Sequence, residues 1–424
     1  MVWTLSTRPV GIGREEGDDV GLAIPDTQIS RLHARVEHDA GADAYVISDA
    51  GSRNGVYVQG VRVERAPLRH GHVVRLGSSL LVYADYEVAH DEQLLPPSQE
   101  LLGASVAMQR VRGEIALVAR ERLSVLVLGE SGVGKERVAT EIHRQSGRSG
   151  RLCAVNCAAI PRDLAESQLF GHAAGAFTGA VGRNDGLFVA GDGGTLFLDE
   201  VGELAPEVQA KLLRVLATGE VQPVGASTTR KVDVRIVAAT LRDLEAGVAE
   251  EAFRGDLFAR LSEWVLRVPP LRERREDILA LGRAWLERQE RMQLSSGAAE
   301  AVLLHDWPFN VRELQQTLVA AALRARGGVI GLEHLPDAMA ARRGDAPAAP
   351  AGEPPLALLV DREDPSREDM VRVLSQFRGN LSQMAEFFGR DRKQMYRWLR
   401  KYGLEVAAYR KPGDAAEDED DEPG

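Results

Sequence analysis

The stretch LVLGESGVGKE at 126–136 restricts the possible folds of this chain more than any other. An apolar run ends in a loop with glycines at 129, 132 and 134, and Lys135 then opens a helical pattern. A buried strand that turns through glycines into a helix leaves several backbone N–H groups at the helix N-terminus, a ready cradle for phosphate. Glu130, Ser131 and Val133 complete the loop, Glu136 follows it, and the Lys135 ammonium supplies a point charge for the β- and γ-phosphates. Such a unit needs a parallel sheet with helices on both faces. Residues 104–340 supply the matching pattern: apolar runs SVLVLG at 124–129, TLFLD at 195–199 and VRIVAAT at 234–240 alternate with helical segments, and 270–340 reads as mainly helical.

A second motif, GGTLFLDE at 193–200, places two carboxylates at the end of one of these strands. Asp199 is positioned to hold Mg²⁺, directly or through water, and Glu200 to polarise an attacking water. A lone DE pair at a strand end is commonly a solvated cap, but a phosphate loop on the same expected sheet favours ATP and Mg²⁺ as cofactors. Cys153 and Cys157, without a further Cys/His pair, build neither a disulfide framework nor a zinc site.

Between these motifs lies GAFTGA at 175–180, an apolar loop flanked by glycines and better suited to a mobile finger than to a packed core. The hexapeptide resembles the loop with which bacterial enhancer-binding AAA+ ATPases engage the sigma-54 factor of RNA polymerase. Further matches follow in family order: AVNCAAI at 154–160, AESQLFGH at 165–172, RIVAAT at 235–240, FRGDLFARL at 253–261 and WPFNVREL at 307–314. The Glu136 that follows the lysine, where general P-loops have Ser or Thr, is also the family's usual form.

The resemblance implies an ATPase with a helical lid from about 270. Asn156 would hold the catalytic glutamate in an inactive pose, Thr240 would lie at sensor I and Arg312 at sensor II. Arg254 and Arg260 would reach the ATP of a neighbouring subunit, which implies a homo-oligomeric, hexameric ring. Gly175, Ala176, Phe177, Thr178, Gly179 and Ala180 would contact sigma-54. The chain departs from the family at Leu241, usually Asn, at Ser262-Glu263-Trp264, usually Asn-Val-Phe, and at Phe309, usually Gly. Leu241 implies a lost polar contact near the γ-phosphate.

Residues 1–88 alternate short β-type runs (45–49, 55–58, 72–76 and 80–84) with Gly/Asn/Asp turns, the pattern of an all-β sandwich. GIGR at 11–14, SRLHA at 30–34 and GSRNGVYVQG at 51–60 resemble the forkhead-associated (FHA) domain, a phosphothreonine reader. Arg14, Ser30 and Arg31 can converge on a dianionic phosphate, Arg53 is a further donor, and Asn54 can grip a peptide backbone. His33 is expected to lock the loops together. The implied partner is a phosphothreonine protein, this chain or another, modified by a Ser/Thr kinase.

At the other end, 367–402 reads as short helices broken at Gly379-Asn380 and Gly389, with Asp391 as a cap for the last. That helix carries Arg392, Lys393, Gln394 and Arg397, with Met395, Trp398 and Leu399 spaced to face its neighbours. A solvated amphipathic helix has the same look, but in this setting the unit resembles the Fis-type helix-turn-helix of the same activators, so upstream DNA is an expected partner.

The expected organisation is multidomain: an FHA sandwich at 1–90, a linker at 91–103, the α/β P-loop ATPase with its helical lid at 104–340, a flexible linker at 341–366, the small all-α DNA unit at 367–408 and an acidic tail at 409–424. Net charge is −11, with seven acidic and no basic residues after Gly413, which argues against a general nucleic-acid coat. No apolar run is long enough for a membrane span, and MVWTLSTRPVGIGREE lacks the profile of a signal peptide, so a cytoplasmic protein with no membrane partner is expected. The whole reads as a sigma-54-dependent activator. Two rivals stand beside it: a phosphopeptide-binding DNA regulator with a degenerate ATPase, motivated by Leu241 and Phe309, and an AAA+ remodeller with a different client.

Overall fold

Alternate positions of the strands Val10–Gly13, Ala34–Asp39, Val56–Val58 and Val73–Leu76 (Ile12, Ala34 and Val36, Val56 and Val58, Val74 and Leu76) face inward, and the amino-terminal part closes as a sandwich around them. The computed structural model describes residues 2–87, 95–177, 182–287, 292–326, 328–340, 367–376, 381–388, 390 and 392–404. They belong to two units, one up to residue 346 and one from 347.

One sheet of the sandwich has the order Leu22–Ala23, Val10–Gly13, Ala34–Asp39, Ala44–Asp49, Arg65–Pro67. The other runs Val61–Val63, Val56–Val58, Val73–Leu76, Ser79–Val82. Ile12, Ile29, Val36, Ile47, Val56 and Leu76 fill the space between them. All four β-type runs of the sequence are strands here.

The central sheet is parallel and ordered Leu152–Asn156, Thr195–Asp199, Arg235–Thr240, Val125–Leu128, Trp264–Arg267. Its three inner strands are the apolar runs of the sequence. The two edge strands were not expected, because LCAVN and WVLR are short and carry polar residues. Leu126, Leu196, Leu198 and Ile236 pack one face against the helices Arg162–Phe170, Pro206–Thr218 and Gly255–Leu261. Val125, Val127, Phe197 and Val237 pack the other against Val106–Val118 and Lys135–Ser146. Burial on both faces is why these strands read as continuous apolar runs.

The helices Ile278–Leu286, Ser296–Leu304 and Asn310–Ala325 form the lid around Trp307, which is fully buried and donates from Nε1 to the Val302 carbonyl at 3.0 Å. Val73 of the sandwich is buried in this same cluster, with Leu80 and Val82 against it. The linker expected at 91–103 is therefore not a free spacer over its described part. Leu101 is buried in the sheet core, and the Arg112 guanidinium donates to the carbonyls of Leu95 (2.8 Å) and Leu101 (3.2 Å). The 341–366 linker and the tail at 409–424 lie outside the described residues.

The loop that carries GAFTGA leaves the domain at a narrow base. His172 bridges Asn184 on one side and Val224 on the other. Gly171 (φ +86) and Gly186 (φ +78) cross there so closely that a Cβ on Gly186 would sit 2.3 Å from the Gly171 nitrogen. In the second unit, Arg367–Gln376, Leu381–Phe388 and Arg392–Tyr402 pack around Met370, Leu374, Met384, Met395, Trp398 and Leu399. Met395, Trp398 and Leu399 face inward as their spacing predicts.

Replacing Gly186 by Ala forces a left-handed backbone and a backbone clash at once. Gly186→Ala is expected to lower unfolding free energy by roughly 2–4 kcal/mol, measured by urea denaturation.

Candidate nucleotide, phosphate and partner sites

Parallel strands deliver their C-terminal ends to one edge of the sheet, where α/β folds bind ligands. Here that edge gathers Gly129 after Leu128, Asn156, Asp199 and Thr240, from four adjacent strands in register. The candidates scattered over more than a hundred positions of sequence thus meet at one place.

Lys135 is buried at the start of its helix, where the Nζ donates to the Gly129 carbonyl (3.0 Å) and lies 3.7 Å from Glu200 Oε1. Glu200 takes a left-handed backbone (φ 54, ψ 47), a conformation that costs a non-glycine residue energy and often marks a functional position. Its Oε2 accepts from the Leu241 N–H at 3.0 Å. Asn156 was expected on the glutamate; its Nδ2 instead donates to Asp199 Oδ2 (3.2 Å), because its strand pairs in register with Asp199. The Leu241 side chain is half exposed, so only its backbone serves the pocket. Thr240 is buried, its hydroxyl accepting from Arg242 N–H at 3.0 Å.

Asp199 Oδ1 is buried with no hydrogen-bond partner among the described residues. A carboxylate oxygen left open beside a phosphate loop suits a divalent cation or its water. Mg²⁺ commonly uses one or two carboxylates, substrate phosphates and waters rather than a protein cage, and among the described residues no cluster of three acidic, His or Cys ligands forms.

The rim of the loop is braced by residues that sequence reading did not single out. Asn310 is fully buried at φ 54; its Nδ2 donates to Glu130 (3.1 Å) and to the Ser131 carbonyl (3.0 Å), and its Oδ1 accepts from Leu271 N–H (2.7 Å). Arg272 forks onto Glu130 at 2.8 and 2.6 Å and holds that carboxyl below the usual carboxylate range. Arg274 donates to the Val133 carbonyl (3.1 Å). The sequence signal was LRERRED at 271–277, directly before the lid, but nothing in its composition says which arginine faces the loop. Arg312 donates to Ser131 Oγ at 3.1 Å. Gly132 (φ +73) has no room for a side chain, since a Cβ would meet the Phe309 carbonyl at 2.2 Å. Phe309 itself has φ −107 and an exposed ring, so this position makes no demand for glycine.

Arg254 and Arg260 stand at the surface at either end of the helix Gly255–Leu261. Arg254 forks onto Asp256 (3.0 and 2.7 Å), and Arg260 lies 3.6 Å from Glu263. Of the finger, Gly175, Ala176 and Phe177 are described, with the Phe177 ring 39% exposed and edge-on to His172 at 5.0 Å. Thr178, Gly179 and Ala180 lie outside the described residues.

At the sandwich loops, backbone and side-chain bonds tie the expected residues together. Arg14 N–H donates to the Ser30 carbonyl (3.0 Å), and Arg53 N–H donates to Ser30 Oγ (3.2 Å). Asn54 Nδ2 donates to the Gln28 carbonyl at 2.7 Å. His33 is buried, accepts from Ser30 N–H at Nδ1 (3.0 Å) and therefore donates from Nε2 to the Gly55 carbonyl (3.1 Å), locking the loops as its place in the sequence suggested. Arg31 and Arg53 are exposed, and Arg14 Nε donates to Glu15 at 3.0 Å. In the second unit Lys393 and Arg397 are exposed, and Arg397 donates to Gln394 at 3.3 Å; Arg392 opens the same helix, and its proposed cap Asp391 is outside the described residues.

Behind the carboxylates the buried Cys157 thiol is pushed up to about 12, by burial first and then by Asp199 and Glu200. An acid whose folded value is raised stays protonated longer than in the unfolded chain, so its stabilising contribution is full below the ordinary thiol value and fades as pH rises toward 12. Iodoacetamide at pH 8.5 is expected to leave Cys157 unmodified in the native chain and to label it after denaturation, as read by peptide mass mapping.

The family model of the Sigma-54 interaction domain matches residues 101–267, that of the FHA domain 10–77 and that of the AAA+ ATPase lid domain 272–351. The nitric oxide reductase transcription regulator NorR2 of Cupriavidus necator is 43% identical over 328 residues, covering 72% of this chain and 63% of that one. The anaerobic nitric oxide reductase transcription regulator NorR of Salmonella newport is 41% identical over 352 residues, 78% of this chain and 69% of that one. The chain thus spans about two thirds of the length of such relatives. The crystal structure of NtrX from Brucella abortus in complex with ATP superposes with a TM-score of 0.53 at 33% identity, over 72% of this chain and 70% of that one. With the three domain matches in the order of the observed sandwich, sheet and lid, the chain belongs to the sigma-54-dependent transcription regulators of the AAA+ class and carries an FHA domain at its amino end.

Proposed function

We propose that this protein is an ATP-hydrolysing activator that remodels sigma-54 RNA polymerase for open-complex formation, held at upstream DNA by its carboxy-terminal helices and governed by phosphothreonine recognition at its FHA loops. The observation that carries the reading is the meeting of Lys135 with Glu200 at the sheet edge that also carries Asp199, with the base of the 175–180 segment, crossed by Gly171 and Gly186, on the same domain. Loop amides from Gly129 to Gly134, with Glu130, Ser131, Val133, Glu136 and Arg312 around them, would cradle the phosphates. Asp199 would hold Mg²⁺, which when bound draws charge off the β/γ-phosphates. Glu200 would orient the attacking water and accept its proton, and Thr240 would lie beside the γ-phosphate. Asn156, bonded to Asp199, would position the metal-binding carboxylate rather than the glutamate.

Arg254 and Arg260 are surface arginines held by exposed carboxylates that a neighbouring subunit's nucleotide could outcompete, which fits a hexameric ring. Phe177 and Thr178 would lead the finger, Gly175 to Ala180, onto sigma-54. Arg14, Ser30, Arg31, Arg53 and Asn54 would take the phosphothreonine, and Arg392, Lys393, Gln394 and Arg397 would meet DNA phosphates or a groove.

In steady-state assays Glu200→Gln is expected to cut ATP turnover by about 100-fold or more while ATP still binds. A wild-type chain without measurable turnover would support the degenerate-site rival instead, and a variant with normal turnover would remove Glu200 from the chemistry. In transcription from a sigma-54 promoter with purified polymerase, Lys135→Ala should give no open complex; activation undiminished by that change would end the remodelling reading.

Titrated with matched peptides, wild type should prefer the phosphothreonine form by about 10-fold or more, and Arg31→Ala should erase the preference. Equal affinity for both peptides would sink the phosphothreonine reading.

A further inference from the structure

The seven residues Leu271–Asp277 lie between the sandwich and the nucleotide loop and serve both. Toward the loop, Arg272 forks onto Glu130 and the buried Arg274 donates to the Val133 carbonyl. Toward the sandwich, the Glu273 carbonyl accepts from His70 Nε2 (3.0 Å), Arg275 donates to the Gly71 carbonyl (3.3 Å), and Glu276 accepts from the Tyr86 hydroxyl (2.6 Å). Asp277 ends the segment by accepting from both the N–H (2.8 Å) and hydroxyl (2.6 Å) of Ser105 at the first helix of the P-loop domain.

The same face of the sandwich is anchored beyond this strap. Arg75 lies 3.0 Å from Glu300, with side-chain exposures of 13% and 1%, and its guanidinium sits 3.7 Å above the Tyr57 ring. Val73 completes the lid core. A charge pair this dry, continuous with an apolar contact, is unlike an incidental surface touch.

The strap meets the sandwich at the end of the Val56–Val58 and Val73–Leu76 strand pair away from the phosphate loops, and Arg75 and Leu80 continue the docking along its outer face. Gln59 follows Val56–Val58 and Val73 opens its antiparallel partner, whereas Asn54 precedes Val56 at the other end of the pair. Phosphopeptide and lid therefore do not compete for the same surface.

We propose that the FHA sandwich is a working part of the nucleotide site: docked on the lid away from its phosphate loops, it holds Leu271–Asp277 where Arg272 and Arg274 brace the P-loop, so nucleotide affinity depends on docking. The coupling is reciprocal, so bound nucleotide tightens the docking. The proposal rests on the nucleotide reading of the P-loop and needs no phosphothreonine.

The test uses the full chain and ADP with Mg²⁺. Tyr86→Phe removes one hydroxyl bond, and Arg75→Ala removes the buried pair; neither residue touches the P-loop. Each is expected to weaken ADP binding by about three- to tenfold in calorimetric titration, with phosphothreonine-peptide affinity within about twofold of wild type. Hydrogen exchange on wild type covers the case of a misfolded variant: ADP should protect amides at 271–277 and at 70–76 together. ADP affinity unmoved in both variants, or protection confined to 271–277, overturns the proposal. A wild-type chain that binds no ADP removes the nucleotide reading and the proposal with it, an outcome distinct from variants that bind like wild type.

Discussion

Asn310 holds the pocket in shape. Its amide is out of water, so each of its polar atoms must find a partner or cost the fold the price of an unmet hydrogen bond. It finds them on both sides of a cleft: the P-loop at Glu130 and Ser131, and the approach to the lid at Leu271. The left-handed backbone at this position is what turns the amide inward at the start of a helix. With this one side chain in place, Arg272 and Arg312 can reach the loop from the lid side, and Gly132 can press against the Phe309 carbonyl. The lid and the phosphate cradle are thus mutually dependent rather than merely adjacent.

Much of this was legible beforehand, for reasons that can be traced to particular residues. The inner strands of the central sheet are buried on both faces, and their apolar runs admit few other readings. Glycines at 129, 132 and 134 and the carboxylates at 199–200 announced the pocket because their chemistry is local. The sandwich loops were legible for the same reason. The edge strands were hidden because one side of each is wet and their composition is mixed. The embrace of Glu130 by Arg272 and Asn310 was hidden because it joins residues far apart in the chain, and no period or motif encodes which arginine of LRERRED turns toward the loop. Nor did composition reveal that Val73 belongs to the core of another domain.

The family departures acquire physical explanations. At Leu241 the side chain points away, and the backbone N–H serves Glu200 in its stead; an amide hydrogen is present whatever the residue, so the glutamate keeps a donor. At Phe309 the backbone is in an ordinary region and the ring stands in solvent, while the strained positions are its neighbours Trp307 and Asn310. Neither substitution marks a collapsed site. Asn156 is a different matter: by pairing with Asp199 it leaves Glu200 to Lys135 and the Leu241 amide, so the two carboxylates are held by separate donors and can respond separately.

The shared core at Val73 also bears on how this protein can be taken apart. A cut placed in the linker expected at 91–103, the natural choice from sequence, would strip Val73, Leu80 and Val82 from the lid and take Arg75 away from the Glu300 carboxylate. An isolated motor made that way would begin life with a wet, charged scar where its neighbour had been. Exchanging the amino-terminal module for a different domain would likewise strand this part of the lid, unless the replacement offered an apolar face and a cation in the same places.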